Sequence, residues 1–151
     1  MRNKIWILSL IFSLIGFILI EKVFTMSPNV ISGNGNVAIL LIPLLSPIFI
    51  LSIILTYKKV REIFGSVKNK KFTFIFLMIS AIFSVLLIYL IIHYTNDLIS
   101  ALGGTPDNPQ SKIYRFGWWN QYTNSLFFNV YTYLLIHLLS GMIGVFTIFK
   151  K

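Results

Sequence analysis

His137 has the most chemical potential of any residue in this sequence. Ser140 follows it at a spacing of three, which puts both on one face of a helix. An ionisable side chain inside an apolar run is costly, so it faces protein or water and marks a candidate site. Three roles fit His137: a proton relay, a ligand contact, or a neutral ring hydrogen-bonded across a helix bundle. The third asks least, because a neutral imidazole is much cheaper to bury than a charge. Ser140 reads as a packing or back-bonding serine rather than a nucleophile.

A haem iron or another metal could in principle sit between His93 and His137. Depth argues against it. His93 falls at the end of an apolar run, and His137 lies roughly two to three turns deeper, on the order of 10–15 Å. No cysteine, and no acid inside these runs beside His137, stands near to complete a ligand set, so neither metal nor cofactor is expected. The chain has no cysteine at all, which excludes disulfides, iron–sulfur clusters and thiol chemistry.

Membrane-embedded catalysis needs residues this sequence lacks. A rhomboid-type protease needs a serine in a Gly-rich motif with a histidine partner. An intramembrane aspartyl protease needs two aspartates within its spans, and no apolar run here contains one. His-Glu-x-x-His is absent, as is a phosphate-binding loop. The chain is therefore not expected to be an enzyme.

The elements that hold these residues follow from composition. Of 151 residues, 56% are hydrophobic and only 11% charged, against about 25% charged in a soluble domain. Mean hydropathy is +0.82. A body this small cannot hide so much apolar surface from water. Lipid resolves the conflict, at about 20 apolar residues per spanning helix. Four runs qualify, near 5–24, 37–57, 72–93 and 126–149, giving an all-α membrane protein with a single four-helix domain. They are expected to form two antiparallel hairpins. The first run resembles a signal peptide in its basic start. It exceeds the usual apolar length and no Ala-x-Ala site follows, so it is expected to stay as an anchor. The third run continues its apolar stripe through Leu90, Tyr94, Leu98, Ala101 and Leu102. That helix is expected to project past the membrane and stop at Gly103-Gly104.

Net charge is +9. In a soluble protein that would suggest nucleic acid, but here basic residues set topology and meet anionic lipid heads, so no nucleic-acid partner is expected. Arg2, Lys4, Lys58, Lys59, Arg61, Lys68, Lys70, Lys71, Lys150 and Lys151 fall on one side of the four spans. Only Lys22, Lys112 and Arg115 fall on the other, with Glu21, Asp97 and Asp107. Both termini are thus expected in the cytoplasm of a cell with a plasma membrane of this polarity. The wealth of Ile, Phe, Asn and Lys suggests a bacterial, AT-rich genome.

The halves echo each other. Ser9, Ile11, Phe12 and Ser13 match Ser80, Ile82, Phe83 and Ser84, and the seven residues from Leu40 to Ser46 match those from Leu134 to Ser140 at all but one place. Chance matches are common in so small an alphabet. A true duplication would be a parallel repeat about an axis along the membrane normal. The alignment places Pro43 on His137 and Pro47 on Gly141. Interrupted helices at matching places point to binding sites in transporters, whereas a lone proline more often makes a simple kink. Small residues recur at four-residue spacing, as Ser9 and Ser13, Ser80 and Ser84, and Ser140 and Gly144. Such faces let helices approach closely.

Two loops complete the reading. The outer loop, 95–123, carries Tyr114, Arg115, Trp118, Trp119 and Tyr122. These residues suit either an interfacial anchor or a recognition surface for a peptide, lipid or partner domain. The basic cytoplasmic loop, 58–71, holds an apolar stripe of Val60, Ile63, Phe64 and Val67, expected as a short amphipathic helix on the inner leaflet. The expected function is a small non-catalytic membrane protein that acts by binding: an accessory, regulatory or immunity-type subunit. Its partners would be the lipid bilayer and another membrane protein or further copies of itself. The alternative is a small oligomeric transporter or channel subunit using Pro43, Pro47 and His137. A membrane enzyme with His93 or His137 as base has the least support.

Overall fold

The computed structural model describes residues 2–31, 35–67 and 69–149. They form α1 (Arg2–Lys22), α2 (Ala38–Gly65), α3 (Lys70–Ala101), the short α4 (Asn124–Phe127) and α5 (Val130–Phe149), with no strand among the described residues. Four helices are long and apolar enough to cross a membrane. Lys68, Lys150 and Lys151, which enter the charge bias, lie outside the described residues.

Local chemistry accounts for most helix ends. Asn69 caps α3, its Oδ1 accepting from the backbone N–H groups of Lys71 and Phe72 at 3.0 and 3.3 Å. The other end of α3 stops where the sequence predicts. Gly103 takes φ +82°, its N–H donates to Ser100 O, and Gly104 N–H donates to Ile99 O. This pair of bonds is a Schellman motif, and the left-handed residue it requires favours glycine. At α5 the helix begins at Val130 rather than 126. Asn129 explains the break, because its Oδ1 accepts from Thr132 N–H at 2.9 Å and so opens a new helix.

The basic stretch after Tyr57 differs from expectation. It is not a separate amphipathic helix, because α2 runs on unbroken to Gly65. Of its apolar stripe only Phe64 turns fully inward, while Ile63 stays 43% exposed. Phe64 is buried, with ring centroids 5.9 Å from Phe72 and 4.4 Å from Phe76. Burying the Phe64 ring against α3 gains more than leaving it at a surface.

Packing centres on α2 and α5, which run parallel: Ser52, Ile53 and Tyr57 bond in ascending order to His137, Ser140 and Thr147. α1 packs antiparallel on α2, and α3 packs on α5. The main core joins Phe17, Ile20, Phe49 and Tyr133. Phe17 makes an edge contact with Phe49 at 4.9 Å and another with Tyr133 at 5.5 Å, a geometry favoured by ring quadrupoles. The small-residue pairs serve this packing. Ser9, Ser13, Ser80, Ser84 and Ser140 are all buried. A Cβ added at Gly144 would stand 2.7 Å from the Tyr57 carbonyl oxygen, so the backbones of α2 and α5 meet there. Large apolar side chains, including Leu40, Leu44, Ile82 and Val85, cover the outside.

Candidate functional site

His137 sits between α2 and α5 with both ring nitrogens engaged. Nδ1 lies 2.8 Å from the carbonyl oxygen of Tyr133, and Nε2 lies 2.9 Å from Ser52 Oγ. A carbonyl only accepts, so Nδ1 carries a proton. Ser52 Oγ is also 2.8 Å from Phe49 O. With a neutral ring, the Ser52 hydroxyl donates to Nε2. With a charged ring, Nε2 donates to Ser52 and the hydroxyl turns to Phe49 O. The contact thus satisfies either protonation state by rotating one hydroxyl. The network extends to α1. Thr56 Oγ donates to Ser52 O at 2.8 Å, and Trp6 Nε1 donates to Thr56 Oγ at 3.1 Å. The Tyr133 ring packs at 4.2 Å from His137 while its hydroxyl donates to Leu10 O at 3.0 Å.

A serine within hydrogen-bond reach of a histidine is the beginning of a nucleophile–base pair. Here the serine is fully buried, so no substrate carbonyl can reach its oxygen in this conformation. Two cavities, of about 440 and 420 Å³, open elsewhere, and neither is lined by Ser52 or His137. The geometry holds α2 and α5 together, and neither cavity brings a substrate to it.

The other candidates in the apolar helices scatter. Ser140 Oγ donates across to Ile53 O at 2.8 Å, so its proton is committed to binding α2. Pro43 and Pro47 are exposed. At about 100° per residue they lie some 180° and 140° round α2 from Ser52, on the far face from His137. Pro47 has no N–H to give Pro43 O, and Ser46 Oγ donates to that oxygen instead, at 2.9 Å. The freed carbonyl is answered locally. His93 is exposed on α3, where Nδ1 stands 3.5 Å from Asp97 Oδ1. No group of three or more potential metal ligands occurs among the described residues.

The 95–123 region is a packed unit. Leu102, Ile113 and Tyr122 form a second core with Met26, Leu98 and Ile99. Tyr122, expected as a recognition residue, is only 5% exposed, and its hydroxyl donates to Val30 O at 3.1 Å. Its role is to hold this unit to the α1–α2 connection. Arg115 adopts φ +65°, a costly conformation for a residue with a Cβ, and its guanidinium lies 4.9 Å from the Tyr114 ring centre. Trp118 and Trp119 remain 45% and 49% exposed, beside Phe116 at 64%. Trp119 stacks on Phe127 at 5.2 Å. The backbone beneath is fixed: Thr123 Oγ donates to Trp118 O at 2.8 Å, and Asn120 Nδ2 donates to Gly117 O at 2.7 Å.

Sequence reasoning missed two features at this end. Glu21 is 7% exposed; one oxygen meets Lys22 Nζ at 2.7 Å and the other accepts from Val130 N–H at 3.3 Å. The carboxylate thereby sits at the positive end of α5. An acid at the edge of an apolar run was the available signal. Asn36 and Asn124 exchange amide bonds of 2.9 and 2.8 Å, tying the α1–α2 connection to α4. Asn124 is fully buried. Asn124→Ala takes the acceptor from Asn36 Nδ2, leaves Asn36 Oδ1 its bond from Ala38 N–H, and is expected to cost about 1–3 kcal/mol. In a double-mutant cycle with Asn36→Ala, the combined loss should fall short of the sum by at least about 0.5 kcal/mol. Strict additivity in unfolding measurements would mean the pair does not exist.

No family model, curated protein or solved structure matches the chain.

Proposed function

We propose that this is a multi-pass protein of the cell membrane, with both termini cytoplasmic, that acts by binding another membrane protein: an accessory, regulatory or immunity-type subunit. The observation that carries the reading is the exposed aromatic face of Phe116, Trp118 and Trp119 on a backbone pinned by its own side chains. Tryptophan dominates binding hot spots, and a surface already ordered loses little entropy when it docks. The topology rests on ten of the thirteen Lys and Arg falling on one side of the four spans. The two halves then act as hairpins entering from the cytoplasm. Against a catalytic reading stands the burial of Ser52, the histidine's only side-chain partner in hydrogen-bond contact among those described.

A photoreactive phenylalanine analogue at position 118, in native membranes, is expected to yield one protein adduct of defined mass. The same probe at Val85, exposed on α3, is expected to label lipid. Trp118→Ala with Trp119→Ala should reduce recovery of the adduct partner, through a second probe at 116, about tenfold or more. Lipid adducts alone at 118 would make the aromatic face an interfacial anchor and remove the basis for the partner.

The transporter or channel reading is supported by one observation, the tolerance of the Ser52–His137 contact for either protonation state. It ranks second because Pro43 and Pro47 lie on the face away from that contact.

A further inference from the structure

At the end of the bundle opposite the aromatic face, an open cavity of about 440 Å³ is lined by Trp6, Tyr57, Lys58, Lys59, Arg61 and Glu62, among others. Three cations face one carboxylate, and that carboxylate is engaged, with Glu62 Oε2 3.7 Å from Lys59 Nζ. The walls are fixed. Trp6 is held by Thr56, and Arg61 Nη1 donates to the Tyr57 hydroxyl at 3.3 Å, which reaches Thr147 at 3.4 Å. Arg61 lines the opening, and a guanidinium offers five N–H donors in the fork geometry that suits phosphate. Tyr57 also lines a second cavity, of about 420 Å³, between α2 and α5. Its other walls are Ile53, Ile54, Ile136, Leu139, Ile143 and Ser140, whose hydroxyl is turned to Ile53 O. A basic opening and an apolar groove thus share one tyrosine, and the aromatic pair Trp6 and Tyr57 belongs at headgroup depth.

We propose that these two cavities, both lined by Tyr57, bind one anionic glycerophospholipid, its phosphate against Lys58, Lys59 and Arg61 and an acyl chain in the groove between α2 and α5. Charge selects the class: zwitterionic lipid brings a cationic head to a site that already has three cations. Basic pockets between helices on the cytoplasmic side are suited to such headgroups. The proposal rests on the membrane-spanning part of the function proposed above and is independent of the partner at the aromatic face.

The full chain, purified in mild detergent, is to be titrated with phosphatidylglycerol or phosphatidylcholine and read by native mass spectrometry. One phosphatidylglycerol per chain is expected, with phosphatidylcholine at least tenfold weaker. Lys58→Ala, Lys59→Ala and Arg61→Ala should each weaken retention about fivefold. Lys70→Ala with Lys71→Ala, basic positions at the same end that do not line the cavity, should leave it unchanged. Leu139→Trp fills the groove and should weaken lipid binding while the folded chain persists. Equal loss in the Lys70/Lys71 variant would overturn the site in favour of a diffuse positive surface. Displacement of the lipid by millimolar inorganic phosphate would overturn the commitment to lipid. A chain that inserts into vesicles of both lipids yet retains neither defeats the site alone, whereas a chain that inserts into neither defeats the membrane reading itself.

Discussion

Gly144→Ala is expected to lower the unfolding temperature of the chain in detergent, and Gly65→Ala is expected not to. Gly144 lies inside α5, where alanine is intrinsically better by about 1 kcal/mol, and Gly65 is the last residue of α2, where that preference is smaller. At Gly144 the new Cβ would meet the Tyr57 carbonyl oxygen at 2.7 Å and Arg61 N at 3.3 Å. Those are backbone atoms of α2, so no side chain can swing aside. Overpacking of this kind costs about 1–3 kcal/mol, enough to reverse the propensity gain. At Gly65 nothing lies within 4 Å of the added carbon, so the propensity term stands alone. The readout is a fluorescence-monitored melt, at roughly 2–4 °C per kcal/mol for a chain of this length. A Gly144→Ala protein as stable as the parent would mean that α2 and α5 do not meet backbone to backbone. Gly141 offers a milder case, since the nearest atoms to its added carbon are Val60 side-chain carbons, the first at 3.4 Å.

The second large effect is at His137, where two substitutions separate structure from chemistry. His137→Ala removes a ring packed at 4.2 Å on Tyr133 in the middle of the α1–α2–α5 contact. Loss of a comparable buried side chain costs about 2–5 kcal/mol. His137→Leu keeps most of the volume, and Ser52 keeps Phe49 O as its acceptor. The inter-helical bond to Ser52 goes, of a kind worth about 0.6 kcal/mol on average in helical membrane proteins, together with the local Nδ1 bond to Tyr133 O in the same helix. His137→Leu should therefore stay folded and abundant, close to the parent in its melt. Under the binding proposal it also keeps the protein adduct at position 118. If a proton-coupled flux is found and His137→Leu abolishes it while the melt is unchanged, the histidine acts through its proton and the transporter reading takes precedence.

The prolines and serines of α2 and α5 show where sequence reasoning stops. Pro43 and His137 occupy matching positions in the two similar stretches, which made them look like one site. Periodicity places a residue on a face of its own helix, yet it does not say which face another helix covers. Once α5 packs on the Ser52 side of α2, both prolines are left outside. Ser140 and Ser46 match in the same alignment, yet Ser140 donates across to α2 and Ser46 back into its own helix. Ser52 itself drew no notice, because serines in apolar helices are common and a histidine 85 residues away gives it its meaning.

The sequence alone determined the helices, since apolar length, a capping asparagine and a paired glycine act over a few residues. Hence four apolar helices, the stop of α3 at Gly103 and the burial of the small-residue pairs were legible before any coordinate. The tertiary structure decided everything that depends on distant partners. It set the continuation of α2 past Tyr57, because Phe64 gains more against α3 than in a separate surface helix. It moved Tyr122 from a candidate recognition surface into a core. It brought Glu21 to the start of α5 across 109 residues of chain. The physical reason is the range of the forces. Backbone bonds and caps are closed within a turn of helix, while burial and side-chain pairing are settled only when whole helices choose their neighbours.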